Sequence, residues 1–211
     1  MYLTSLYDQL MPRLPGASEE LVLNEVFHTA QLLCNEGHAW VEEVGPLDIR
    51  ANNRNIYINP LPNDSRVGEI LSVRYEPAGE QRRYLTSLAK PPPESTADAT
   101  APLHYYMREP GWLVVYPTLT TASADSLYID CSVIPARSSC SLPETFSTHH
   151  SQALVDGTCY RMMMMSAKPW SDRAAAMLHG RAFRNYVHTI RTTVKNRYSQ
   201  GTVLWQFPAF A

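Results

Sequence analysis

Residues 127–133 read LYIDCSV, the stretch with the most regular pattern in the chain. Every second side chain is apolar, and the side chains between them are tyrosine, aspartate and serine. Because successive side chains of a β-strand point to opposite faces, this period of two predicts a half-buried strand. Its apolar positions are Leu127, Ile129, Cys131 and Val133.

The segment before this strand carries several shorter runs of apolar or aromatic residues. These runs cover residues 56–58, 70–75, 83–85, 104–107 and 112–116. The last two are separated by Glu109-Pro110-Gly111, whose proline and glycine favour a tight turn. Many short strands separated by turns predict an antiparallel sandwich or small barrel. We therefore expect a β-rich lobe over residues 38–135.

One part of this lobe has a different composition. Residues 89–102 contain three consecutive prolines and almost no large apolar side chain. Such a composition predicts an extended, flexible loop.

The N-terminal region has a helical period instead. Apolar residues recur at helical spacing at Leu23, Val26, Phe27, Ala30 and Cys34, with Leu33 beside them. Ser18 suits the N-cap, two glutamates follow in the first turn, and Gly37 suits the C-terminal cap. This pattern predicts a helix over 18–36, after a shorter one over 3–10 that prolines end.

The helical period returns near the C-terminus. Pro143 suits the first turn of a helix that runs to about residue 166. After the break at 168–170, Ser171 is expected to cap a second helix that ends at 199–201. The apolar stripe of this second helix is Phe183, Val187, Ile190 and Val194.

These patterns together predict an α+β fold. Helices from 1–37 and 143–200 form a bundle, and the antiparallel β-rich lobe is inserted between them. Residues 201–211 form an apolar C-terminal tail.

Charge is distributed unevenly along the 211 residues, although the net charge is only −2. Residues 1–80 carry twelve acidic and five basic side chains, a net charge of −7, whereas residues 161–211 carry one acidic and eight basic, a net charge of +7. The small net charge argues against a general nucleic-acid binder. The asymmetry suits head-to-tail contact between copies, or pairing of the two ends within one subunit.

Basic residues line one face of the last predicted helix. They lie three and four residues apart, and they are Arg181, Arg184, His188, Arg191 and Lys195. Such a face suits contact with DNA phosphates or with an acidic protein surface. The alternatives are a solvated face or pairing with the acidic N-terminal helix.

The last residues, 203–211, contain no charged side chain. Leu204, Trp205, Phe207 and Phe210 would be costly to leave in water, since burying three aromatic rings contributes several kcal/mol at about 25 cal/mol per Å². This tail is therefore expected to dock on a neighbour, or to pack back on its own subunit.

No motif in the sequence points to metal, cofactor or catalytic chemistry. The cysteines Cys34, Cys131, Cys140 and Cys159 have no zinc spacing, and HExxH, GxSxG, P-loop and Rossmann motifs do not occur. Consecutive residues diverge on a helix, so the run 162–165 of four methionines and the pair His149-His150 are expected to pack rather than to bind a metal. No signal peptide or membrane span is recognised, so we expect a protein made in the cytosol with reduced thiols.

The order of these elements resembles the head-to-tail adaptor (connector) family of tailed bacteriophages, of the tail tubular protein A kind. The resemblance rests on the helix near Pro143, the small residues Ala153 and Gly157, the apolar run 162–165, the linker 167–172, the long helix with Phe183, and the front helix with Leu23, Glu25 and Phe27. It covers most of the chain but includes neither residues 89–102 nor the tail.

The resemblance implies a structural virion protein at the head–tail junction. Adaptors of this kind form a twelve-fold ring under the portal protein, around the DNA channel, and use no cofactor and catalyse nothing. The implied partners are the portal, neighbouring subunits and the next tail component, a nozzle or tail tube, with nonspecific contact to packaged DNA. The alternatives are a tail terminator or head-completion ring, or a β-sandwich module that recognises a glycan or peptide.

Overall fold

The computed structural model describes residues 4–59, 61, 65–79, 81–90, 101–136 and 142–198. The predicted strand at 127–133 is present and longer, as β8 (Ser123–Pro135). It lies inside a four-stranded sheet of order β1-β8-β3-β4, in which all pairs are antiparallel. The other strands of this sheet are β1 (Val41–Ile49), β3 (Ser65–Tyr75) and β4 (Arg83–Tyr84).

A second sheet has the order β2-β7-β6-β5. Its strands are β2 (Asn55–Tyr57), β5 (Thr86–Ser87), β6 (His104–Glu109) and β7 (Trp112–Tyr116). The hairpin predicted at Glu109-Pro110-Gly111 is confirmed as β6–β7, whereas the short pair β5–β6 is parallel. The run predicted as one strand at 83–85 is instead followed by a change of sheet, because β4 belongs to the first sheet and β5, two residues later, to the second.

Strand β8 is buried on both faces, so the prediction of a half-buried strand is wrong. Asp130 is 7% exposed and Ser132 is 1% exposed. Helix α2 (Glu19–Gly37) packs on β8, and the Ser132 hydroxyl donates to the Cys34 carbonyl over 3.5 Å. Asp130 accepts a 2.5 Å hydrogen bond from the Ser72 hydroxyl on β3. These polar side chains tolerate burial because each has a partner.

Strand β1 was not predicted, since its sequence VEEVGPLDI has glycine and proline in the middle. It lies at the edge of its sheet, where a residue without an N–H is tolerated. The register shifts between Val44 and Leu47, so Gly45 and Pro46 fall in the irregular part. A Cβ on Gly45 would lie 2.8 Å from the Leu127 carbonyl oxygen, which explains the glycine.

Helices come from both ends of the chain, and the α+β fold class is confirmed. The remaining helices are α1 (Thr4–Leu10), a 3-10 helix (Met11–Arg13), α3 (Glu144–His149), α4 (Ser151–Met163) and α5 (Arg173–Tyr198). Helix α4 contacts α1, α2 and α5, and α2 also contacts α1 and α5. All described strands lie between residues 41 and 135. Most of the proline-rich loop, residues 91–100, and the tail after residue 198 lie outside the described residues.

Several helix ends differ from the predictions. The helix predicted over 143–166 is divided into α3 and α4 at His150, and α4 ends at Met163. Gly37 is still helical, and His38 takes the left-handed cap position with φ 55°. Space does not require a glycine at position 37, since a Cβ there would lie 3.6 Å from the Val187 carbonyl oxygen of α5, an ordinary contact distance.

The two predicted serine caps do not bond as expected. Ser18 precedes α2 in extended conformation but forms no side-chain capping hydrogen bond. Ser171 accepts a hydrogen bond from the Lys168 amide over 2.9 Å and donates to the Met165 carbonyl, so it stabilises the preceding turn. The cap of α5 is Asp172, whose Oδ1 accepts from the Ala175 amide over 2.9 Å.

The buried face of α2 is rotated from the predicted one. Val22, Val26, Ala30 and Leu33 are fully buried, whereas the predicted Leu23 and Phe27 are only half-buried. Two polar residues, Glu25 and Thr29, also lie on the buried face. A pattern of apolar residues cannot predict their burial. Each has a partner within the fold: Arg161 Nε donates to Glu25 over 2.5 Å, and the Thr29 hydroxyl donates to the Glu25 carbonyl over 2.8 Å.

Candidate functional site

Helix α5 is the longest helix and presents most of its circumference to solvent. It has 26 residues, about 39 Å at 1.5 Å per residue. Ala176, Phe183 and Val187 are buried where α5 packs on α2 and α4. The predicted apolar stripe is thus confirmed at Phe183 and Val187, whereas its last members, Ile190 and Val194, are half-buried.

The five predicted basic residues lie together on the outer side of α5. All of them are exposed, and their spacing of three and four residues keeps them in one line along the helix. We call this line the cationic stripe: Arg181, Arg184, His188, Arg191 and Lys195. Met177, one turn earlier on the same line, is 52% exposed. An exposed apolar side chain therefore lies next to the N-terminal end of the cationic stripe.

The cationic stripe has no acidic partners in the described part of the chain. The ion pair that links the two ends of the chain involves another residue, since Arg161 pairs with Glu25. No member of the stripe forms an ion pair with any described residue; Arg184 lies over the Tyr160 ring, 6.0 Å from its centroid. The alternative that the stripe pairs with the acidic N-terminal helix is therefore wrong within these residues.

The other exposed side of α5 is uncharged. Leu178 is 73% exposed, and Ala182 and Asn185 lie near it on the helix. Three threonine hydroxyls donate to the carbonyl oxygen four residues earlier, each over 2.9 Å, so their polar groups are satisfied within the helix; these are Thr189, Thr192 and Thr193. Two chemically different surfaces thus run along one helix.

The cationic stripe influences one buried group. His38 is 2% exposed, and its Nε2 lies 3.3 Å from Glu69 Oε2. Burial lowers the pKa of His38, and the positive charges of Lys195 and Arg191 lower it further, against the opposing effect of Glu69. Burial and these two positive charges therefore favour the neutral imidazole at the junction between α2 and β1.

A groove of about 540 Å³ lies beside the last turns of α5. Its walls include Trp40, His150, Ile190, Val194 and Arg197, from the start of β1, the α3–α4 junction and α5. The predicted docking residues of the tail lie beyond α5 and outside the described residues; these are Leu204, Trp205, Phe207 and Phe210.

A smaller pocket of about 340 Å³ lies where the edge strands of the two sheets meet. We call it the edge pocket; its walls include Asp48 and Arg50 at the end of β1, Asn53 and Asn55 around the start of β2, and the rings of Tyr57 and Trp112. Tyr57 and Trp112 are register partners whose ring centroids are 5.0 Å apart at an angle of 47°. This pocket was not predicted from the sequence, although the polar run RANNRN at 50–55, shortly before Tyr57, was a usable signal.

The cysteines and the histidine pair that were considered for metal or nucleophilic chemistry pack within the fold. Burial raises the pKa of the Cys34, Cys131 and Cys159 thiols, that of Cys131 to about 12. His150 packs edge-on against Phe146, and its Nδ1 lies 3.0 Å from the Tyr186 hydroxyl. In the described ranges, no three histidine, cysteine or acidic side chains converge as metal ligands.

The methionine run at 162–165 is only partly buried. The prediction of a helix buried on several sides holds for Met162 and Met163, but Met164 is 40% exposed because the helix has already ended. Among the helices that the structure describes, none is both long and apolar enough to cross a membrane.

No known family model and no curated protein matches this sequence. The resemblance to phage adaptors therefore stays a prediction.

Proposed function

We propose that this chain is a structural subunit of a bacteriophage head-to-tail adaptor ring and that the cationic stripe docks on an acidic surface of the portal protein. The observation that supports this most is that, among the described residues, no acidic side chain pairs with the stripe. Like charges three and four residues apart on a helix destabilise it by about 0.2–0.5 kcal/mol per pair. A partner with acidic side chains would remove this repulsion.

The surface around the stripe favours a protein partner over DNA. Met177 lies in line with the basic residues, and the exposed Leu178 is next to it in the chain. Apolar side chains gain from contact with a protein surface, whereas a phosphate backbone offers them nothing to pack on. DNA binding through the stripe is therefore an outcome of the test rather than part of the proposal.

In the same proposal, the subunits lie side by side in the virion, the β-rich lobe faces the next tail component, and the tail at 203–211 latches a neighbour or the portal. The ring needs no cofactor and catalyses no reaction. A heterologous contact between the acidic front of one subunit and the basic back of the next forms a ring where the rotation between neighbours closes.

The decisive experiment mixes the purified chain with its portal ring and examines the product by electron microscopy. We expect a ring of adaptor density on the portal, and we expect the variant with Arg181, Arg184, Arg191 and Lys195 all changed to glutamate to lose it. A control variant with two charge reversals outside the stripe, Lys90→Glu and Arg108→Glu at exposed positions of the β-rich lobe, should still assemble.

Two results would contradict the proposal. One is portal binding that survives the four charge reversals. The other is a chain that ignores the portal but shifts duplex DNA through the same four residues. Deleting residues 203–211 tests the latch separately, since assembled, DNA-retaining particles without the tail would remove it from the mechanism. Ring symmetry and direct portal contact distinguish an adaptor from a tail terminator or head-completion ring.

A further inference from the structure

We propose that the edge pocket is a binding site for a neutral saccharide. The pocket lies in the β-rich lobe and shares no residue with the cationic stripe, so this inference does not rest on the proposed function. Its volume of about 340 Å³ falls in the range of small-molecule sites, about 300–1,000 Å³.

Two aromatic rings form the apolar wall of the edge pocket. Tyr57 is 55% exposed and Trp112 is 41% exposed, although rings of this size are normally buried. Their faces carry the negative part of the ring quadrupole, and the C–H groups of a sugar ring are polarised positively. Two such faces at 47° to one another can therefore hold one apolar side of a sugar.

Planar polar groups also line the edge pocket, and two of them are held in place by hydrogen bonds. Asp48 Oδ1 accepts from the Asp125 amide over 2.9 Å, and Asn53 Oδ1 accepts from the Asn55 amide over 2.9 Å. Each bond fixes its side chain while the second carboxylate oxygen of Asp48 and the amide nitrogen of Asn53 remain for a ligand. Donors and acceptors fixed in this way match adjacent hydroxyl groups with little loss of conformational entropy.

The charge of the pocket favours a neutral ligand. The wall contains one carboxylate, Asp48, and one guanidinium, Arg50, so the two charges balance. A polyanionic saccharide would bring charge that the single arginine cannot match.

The backbone around the pocket disfavours a peptide. An added peptide strand would need free N–H and C=O groups along an edge strand. Strand β2 has only three residues, and the Asn55 amide at its start already donates to Asn53. Few ladder positions therefore remain for a peptide.

A printed array of neutral and anionic oligosaccharides, probed with the full-length chain, tests the proposal. We expect binding to at least one neutral oligosaccharide, followed by saturable titration of that compound in solution. Trp112→Ala, Tyr57→Ala and Asn53→Ala should each weaken binding about tenfold or more. Tyr84→Ala is the control. Tyr84 is 46% exposed and lies on β4, at the edge of its sheet opposite to β1, so its removal should leave binding unchanged.

Folding of each variant is checked by its unfolding midpoint, and the three pocket variants provide alternatives if one fails to fold. The proposal is overturned if no neutral oligosaccharide binds at up to about 10 mM. It is equally overturned if binding persists in all three folded pocket variants, or if anionic oligosaccharides or peptides from a display library bind through Trp112 in preference to neutral sugars.

Discussion

Helices α4 and α5 follow one another in the chain and pack together, but the fold uses them differently. In α4, eight of the thirteen residues are buried, and its two charged side chains are paired, Arg161 with Glu25 and Asp156 with His179. In α5, only one face is buried, and the cationic stripe has no acidic partner in the described part of the chain.

This difference distinguishes side chains that stabilise the folded subunit from side chains that do not. The buried and paired residues of α4 are explained by contacts within the subunit. This includes Gly157, which lies where α4 crosses α2 and α5. The cationic stripe of α5 costs the isolated subunit stability through like-charge repulsion. Residues that disfavour the folded monomer are the ones to examine for contacts with a partner.

The largest expected effect on stability is that of a substitution at Gly157, where the three helices cross. A Cβ on Gly157 would lie 2.9 Å from the Phe183 ring and closer still to the Thr29 methyl group. Gly157→Val should lower the free energy of unfolding by about 3 kcal/mol or more, measured by urea denaturation. Ala182→Val on the exposed side of α5 is the control and should cost only about 0.5 kcal/mol, from helix propensity. Equal effects would mean that α4 is not the more constrained helix.

A smaller effect is expected where the charges of α5 reach the core. The pKa of His38 in the folded state is lowered from its ordinary value of 6.5, so the unfolded chain binds a proton at a higher pH than the folded chain does. Stability should therefore be full above pH 6.5 and fall as the pH drops through that value. His150, whose pKa burial also lowers, adds to the same fall.

His38→Asn tests the share of His38, since asparagine tolerates the left-handed conformation and does not titrate. Urea midpoints measured between about pH 8 and about pH 5 should depend less on pH in this variant than in the unchanged chain. Identical profiles would show that His38 is not the group that responds.

The smallest effect has the opposite sign. Arg191→Glu replaces repulsion with attraction towards Lys195, four residues later, and should raise the free energy of unfolding by about 0.5 kcal/mol. The neutral Arg191→Gln should raise it by roughly half as much, because it removes only the repulsion. Thermal unfolding at low salt measures both. A loss of stability in either variant would indicate that Arg191 has a partner within the subunit, against the proposed docking role.

The sequence predicted the elements whose pattern is local and missed those that depend on a neighbour. The helix at 18–36, the hairpin at Glu109-Pro110-Gly111 and the strand around Ile129 follow from side-chain period and turn residues. Strand β1 was missed because Gly45 and Pro46 break the pattern, and only the edge position makes them acceptable. The burial of Ser132 was missed because α2, more than ninety positions earlier in the chain, covers it.

The candidate sites divide in the same way. The cationic stripe could be named from the sequence, since residues three and four apart on a helix share a face whatever surrounds them. The lack of acidic partners for the stripe among the described residues could not be predicted, because the acidic residues are distant in sequence. The edge pocket is formed by the end of β1, the start of β2 and Trp112 of β7. These residues are too far apart in the sequence for a local pattern to predict the pocket.

For this protein, the sequence by itself determined the order and type of most elements and the position of charge along α5, because local period and backbone preference act within a few residues. The tertiary structure alone decided which polar residues are buried, which charges are paired and where Tyr57 and Trp112 meet the end of β1. These outcomes depend on residues brought together by folding, and the free energy of burial is set by those neighbours rather than by the chain on either side.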